Sequence, residues 1–438
     1  MNNTNLTKGV GMKLAKLSLA AIVALGVSAF ADVQNIKVSG NAKLFYGTND
    51  ADQWAGTLNN NHTPSDASLF GKDNSYGQVA ADLAFTADLA DGVAAKVKAT
   101  TLATLGLENN LVSDTWAGSN IGLDARGWIS EAWLAKTFGK TTLKIGRQEL
   151  DTPLAFSEKW NIAANSFDAA VVLNNDLPQT TLVAAWVGRG NGTTGAVVTG
   201  EDYNKYGTAI VNAYSSALTS SDVDGGAYAV AAVTKLIPMT TAQVWFYNVT
   251  DIANAWWLQA DIDLKEFAPG LTFGAQYAMI DPQGKISSLD ESKAWAVKLG
   301  YATGALKLAA AYSATDEDGV VVIANTATGA TKGSQSKLYT EAWWNYGYVG
   351  RPDTKSWMIS ADYNMEGIAD FMAQYTSSDQ DTTGGDVDMT EFTLTATKSF
   401  GSLDATLAYI YTDADDQNVV SGKSDSFNTV QVYLTYNF

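Results

Sequence analysis

The 438-residue chain contains no cysteine and one histidine, His62. It therefore has no disulfide, no thiolate metal site and no cysteine nucleophile. His62 lies in the polar stretch "NNNHTPSD", where a solvated loop residue is the plain reading. A lipase- or protease-type barrel enzyme needs a base beside its nucleophile, and without that histidine it would have to rely on Asp pairs. Proline is scarce, at seven, and charged residues make up 17%, against ~25% in ordinary soluble domains. Beyond residue 31, no apolar run reaches the ~20 residues that a membrane-crossing helix needs. No phosphate-binding glycine loop or dinucleotide fingerprint appears.

Acid is abundant. The net charge is −18, and it falls to −21 once the three lysines of residues 1–31 are set aside. A balance this acidic argues against nucleic acid and favours cations. Residues 1–31 carry Lys8, Lys13 and Lys16, then "LSLAAIVALGV", then Ala29-Phe30-Ala31. This is the layout of a cleaved secretory signal, with Met12 an alternative start. Aromatic residues are plentiful too, with 13 Trp and 19 Tyr. Few charges and many aromatics in an exported chain imply a membrane surface built from strands.

The alternation supports this. In "FNTVQVYLTYNF", Val430, Val432, Leu434 and Tyr436 share one face, and Thr429, Gln431, Tyr433, Thr435 and Asn437 share the other. The period-two pattern recurs near 38–48, 78–90, 93–105, 128–138, 141–150, 167–175, 180–189, 226–237 and 240–250. It continues near 253–265, 271–281, 293–303, 305–315, 355–365, 369–379, 389–400, 402–413 and 426–438. Most of these segments have the ~9–11 residues of a tilted transmembrane strand. Connections between them alternate short and long, with 251–252 the short exception among the long ones. A soluble sandwich or propeller would carry charge on its outward face; here the regular apolar face is Leu, Val, Phe, Trp and Tyr.

The expected fold is therefore an all-β transmembrane antiparallel barrel of about 18 strands, with 16 the alternative count, short periplasmic turns and long outer loops. It is one domain, 32–438, behind the 1–31 signal peptide. Lipid leaves no sheet edge unpaired, so the last strand must close on "NIKVSGNAKLFYG". The polar face then lines a water-filled lumen. Its candidates are Asp82, Asp88, Lys96, Lys98, Arg189, Asp261, Asp263, Lys298, Lys307, Asp362, Glu391 and Asp404. The third outer connection, 151–166, "DTPLAFSEKWNIAANS", is unusually apolar and is expected to fold inward as the constriction. That would bring Glu158, Lys159 and Trp160 to the pore, with Arg147 on or near the adjoining wall, as opposed charges across a narrow passage.

The leader "MKLAKLSLAA", the run "IGRQELDTPLAFSEKWNIAANSFDAAVV" and the closing "VYLTYNF" resemble porins of the epsilon-class proteobacteria. These include the Campylobacter-type major outer membrane protein and the OprD-like channels, which are similar to it in architecture. The resemblance implies an 18-strand barrel, commonly a homotrimer, with Arg147 at the basic position of the strand end and 151–166 as the eyelet. Interleaved inward acids and bases depart from the basic ladder of carboxylate-specific members. The expected function is passive diffusion of ions and small hydrophilic solutes across the Gram-negative outer membrane, leaning towards cations. The alternatives are an adhesin or receptor working through the long loops, and the barrel enzyme. Expected partners are the lipid bilayer and lipopolysaccharide, the solutes themselves, and the barrel assembly machinery reading Phe438. No cofactor is expected; the acidic stretches 316–319, 381–388 and 413–416 offer the oxygen ligands that Ca²⁺ takes.

Overall fold

The computed structural model describes residues 33–52, 68–119, 122, 125–192, 198–206, 225–328, 334–418 and 424–438. The proposed leader and His62 lie outside the described residues. The first wall strands are β1 (Gln34–Asn49), β2 (Ser75–Leu89), β3 (Val93–Ala103), β4 (Arg126–Phe138), β5 (Thr141–Gln148), β6 (Phe167–Asn174) and β7 (Thr180–Gly190). The two-residue β8 (Asn204–Lys205) extends the sheet above β9 (Ala227–Thr234). Then come β10 (Thr240–Val249), β11 (Ala253–Asp263), β12 (Leu271–Pro282), β13 (Ser292–Thr303) and β14 (Leu306–Thr315). The wall ends with β15 (Thr354–Met365), β16 (Ala369–Gln380), β17 (Val387–Phe400), β18 (Leu403–Ala414) and β19 (Ser426–Asn437).

Apart from the short β8, these strands form a closed antiparallel barrel of eighteen. Each pairs with its neighbours in sequence, β7 continues to β9, and β1 pairs with β19 from Asn41↔Asn437 to Asn49↔Thr429. Every segment expected from the alternation is present, and no end moves by more than four residues. The agreement is physical: period two is the one pattern that gives a strand both a lipid face and a water face. At one end the connections are tight. Gly367 and Gly401 turn the chain there at φ 75° and 66°, a region glycine enters without Cβ strain.

Register assigns the faces. On β14 and β15, Tyr312↔Trp357, Ala310↔Ile359 and Leu306↔Tyr363 point outward, while Lys307↔Asp362 and Ser313↔Ser356 point inward. Outward aromatics stand near both ends of this pair, Tyr312 and Trp357 at one end and Tyr363 at the other, as the girdles of a membrane barrel do. Outward apolar side chains remain exposed along the wall, among them Leu258, Trp295, Leu299, Ile359 and Leu407. This exposure is what a lipid solvent permits. The buried apolar clusters lie inside, between wall and loops.

Candidate pore constriction

The lumen wall is chemically lopsided. Inward positions on β6, β7, β9 and β10 are uncharged and mostly apolar, including Phe167, Ala169, Val187, Ala229, Val233, Trp245 and Tyr247. Water gains nothing from such a wall, so apolar loop residues cover it. From the third outer connection, Leu154 and Ala155 pack there; from the seventh, between β14 and β15, so do Val321, Ile323, Leu338 and Val349. Each fully buried aliphatic side chain is worth about 1.5–3 kcal/mol, enough to hold a long loop inside.

The two loops are also stitched to each other. Asn325 Nδ2 donates to Phe156 O (2.9 Å) and to Glu158 Oε1 (2.8 Å), and its Oδ1 accepts from Phe156 N (3.1 Å). Thr328 Oγ1 donates to Glu158 (2.6 Å), and Thr326 Oγ1 donates to Leu154 O (2.6 Å). Lys337 reaches back to pair with Asp151. Glu158 is 1% exposed, and its burial pushes the carboxyl up to about 7 despite the hydrogen bonds from Thr328 and Asn325. It is a tether between loops rather than the pore charge that sequence suggested. The wall sets the reason: the apolar sheet pulls this part of the loop down, and Glu158 goes with it.

The seventh connection is also bound inside the barrel, along more of its length. Glu391 on β17 accepts backbone N–H groups from Trp343 (2.8 Å), Trp344 (3.1 Å) and Asn345 (2.6 Å), as well as Asn345 Nδ2 (2.9 Å). Gln276 donates to Lys337 O (2.9 Å), and Gln374 donates to Glu341 O (2.9 Å). Tyr339 donates its hydroxyl to Asp261 (2.6 Å) while Lys298 sits over its ring at 4.1 Å. Asp261 and Lys298 are thus inward as expected, but they anchor a loop as well as line the lumen. Rings from three loops then converge: Trp116 on Trp344 at 4.7 Å, Trp160 on Tyr346 at 4.9 Å, and Trp160 on Trp344 at 6.0 Å. The sequence carried a signal for this in "LYTEAWWNYGYV", which is denser in aromatics than 151–166.

Beyond the apolar sector, the inward face of β1–β5 carries charge. Lys43 lies 3.8 Å from Asp82 and donates to Ile162 O (3.2 Å). Lys96 pairs with Glu131 (2.7 Å), and Lys98 bridges Glu131 (2.9 Å) and Glu149 (2.5 Å). Lys159 pairs with Glu149 (3.2 Å), and Lys144 sits over the Trp133 ring at 4.3 Å. Lys159 keeps 63% of its side chain exposed, and Lys43 and Lys96 keep 24% each. Next to Lys98 and Lys159, the Glu149 carboxyl, though raised by burial, is held on balance below its usual range. Five lysines here face three acids.

The other expected lumen residues divide. Asp88, Asp263, Lys307, Asp362 and Asp404 take inward register. Arg147 and Arg189 do not. Gln148, Phe167 and Ala169 face the lumen, so Arg147 and its partner Asp168 face out, joined at 2.8 Å and 3.3 Å. A bulge between Asp168 and Ala169 in the β6–β7 pairing places Arg189 opposite Asp168, also outward. Among the described residues no His/Cys/Asp/Glu group of three converges as a metal site.

A closed barrel with a lipid-compatible wall, a charged lumen and loops folded into its bore is an outer-membrane diffusion channel. Residues 132–436 match the family of outer membrane porins described as OprD, and the chain belongs to that family. It is a channel of the outer membrane for small solutes, not an enzyme. No curated protein matches the sequence. Among solved structures it is similar to the outer membrane protein OpdK from Pseudomonas aeruginosa, with TM-score 0.68, 14% identity and coverage of 93% of this chain and 100% of that one. It is also similar to OpdO of the same organism, at 0.65 and 15%, covering 93% and 98%, and to OccAB4 of Acinetobacter baumannii, at 0.67 and 13%, covering 92% and 98%.

Proposed function

We propose that this porin passes small hydrophilic solutes by passive diffusion and favours those carrying a carboxylate. The carrying observation is the lysine excess at the constriction: Lys43, Lys96, Lys98, Lys144 and Lys159 against Asp82, Glu131 and Glu149. The overall charge of −21 past residue 31 argues for cations instead. Local charge decides, because fields from surface acids decay within about 8–10 Å at physiological salt whereas a permeating solute touches the eyelet directly. OpdK has been solved with vanillate, an aromatic carboxylate, which supports the same solute class here. The wording of the leader and of 145–190, which resembles epsilonproteobacterial porins, supports a source in that group.

The test is a reversal potential across a planar bilayer in a salt gradient. The reading expects anion preference in the wild type and a shift towards cations in Lys159→Glu. Cation preference that Lys159→Glu leaves untouched overturns it.

A further inference from the structure

Outside the pore, one row of charge stands on the lipid side of the wall. Asp168 on β6 lies opposite Arg147 on β5 and Arg189 on β7, and Arg189 lies opposite Lys205 on β8. Four neighbouring strands thus carry three cations and one acid in a single register row, and the nearby Glu201 is paired with Arg126. Strands about 4.8 Å apart make this row roughly 14 Å wide.

Its depth is fixed by what lies beneath. On the same outward face, one register step below Asp168, Ala170 pairs with Trp186, and Trp186 pairs with Tyr228. Both aromatics are exposed and belong to the upper belt, at the end from which the long connections leave. Aromatic belts mark the boundary between hydrocarbon and headgroups. A row directly above that belt sits at the level of lipid phosphates in the outer leaflet.

The chemistry fits a phosphate. Arg147 is locked, holding Asp168 on one side while its guanidinium stacks at 3.3 Å on the Tyr203 ring. Tyr203 is itself held by Ser166 (2.6 Å). Arg189 is exposed and makes no ion pair among the described residues. A guanidinium offers paired N–H donors matched to phosphate oxygens. Elsewhere on the upper rim acids outnumber cations on the outward face: Asp379 lies between Lys355 on β15, which pairs with Asp381, and Asp388 on β17, and Asp413 lies on β18. Phosphate is repelled there and attracted here.

We propose that Arg147, Arg189 and Lys205 form a docking site on the outer wall for the phosphate of an anionic lipid of the outer leaflet. The inference does not depend on the solute reading, since none of these side chains faces the lumen.

The experiment is native mass spectrometry of the full detergent-solubilised barrel titrated with bis-phosphorylated lipid A. Arg189→Gln combined with Lys205→Gln should weaken binding by roughly tenfold or more, since each surface cation contributes roughly fivefold. Dephosphorylated lipid A should bind the wild type as weakly as the double variant binds the phosphorylated form. An Asp379→Asn control should lose no affinity, and unchanged single-channel conductance will confirm that the double variant is folded. Equal binding by wild type and double variant, or by phosphorylated and dephosphorylated lipid, overturns the proposal. So does displacement of lipid A by millimolar inorganic phosphate, which would make the row a free-anion site.

Discussion

Gly40 and Phe438 exchange both backbone hydrogen bonds across the seam of the barrel, Gly40 N to Phe438 O at 2.9 Å and Phe438 N to Gly40 O at 3.0 Å. The Phe438 ring lies 2.6 Å from where a Cβ on residue 40 would stand, and Asp82 O lies 2.3 Å from it. Glycine is therefore required where the seam ends. Gly40→Val should destabilise closure by about 1–3 kcal/mol, as overpacking does. The measurement is the temperature at which the detergent-resistant barrel converts to unfolded chain, expected to fall by several degrees.

Glu391 holds the seventh connection inside through three backbone N–H groups and Asn345 Nδ2. Glu391→Ala leaves these donors buried without an acceptor, at about 1–3 kcal/mol each. The loop should leave the bore while the wall, held by its own ladder, stays closed. Single-channel conductance should rise, with heat-modifiable gel mobility unchanged.

Loop docking should depend on pH through Glu158 and Glu341. Burial pushes Glu158 up to about 7 and Glu341 up to about 8, the latter with a further push from Glu391. Both groups bind protons more tightly when packed than when released. Their stabilisation is full below about 4.5, the unperturbed value, and is lost as pH rises through 7 to 8. For Glu158 the difference is on the order of 3 kcal/mol. Current fluctuations should therefore grow from pH 6 to pH 9, and Glu158→Gln should flatten the part of that rise due to Glu158.

Trp344 packs against Trp116 and Trp160 at the junction of three loops. Trp344→Ala should cost about 3–5 kcal/mol of local packing. Faster proteolysis within 334–353, with the wall strands still protected, is the expected readout.

The wall was readable because alternation is forced on any strand between lipid and water. The loops were only half readable. "DTPLAFSEKW" announced burial through its apolar residues, but nothing in it says whether Glu158 meets water or the underside of a neighbouring loop. Arg147 was readable in principle: in "LKIGRQ" it shares parity with Leu143 and Ile145, the lipid face. Arg189 was not. Strict alternation from Trp186 puts it inward, and a bulge at Gly188 turns it out.

Lipid touches one face of each strand and water the other, and the absence of cysteine makes this directly measurable. Single cysteines at Lys307, Ala309, Ser360 and Asp362, and at Leu308, Ala310, Ile359 and Ala361, would be exposed to a membrane-impermeant thiol reagent in reconstituted vesicles. The first four, inward by register, should react and the second four should not. Uniform reactivity across both sets would contradict the account.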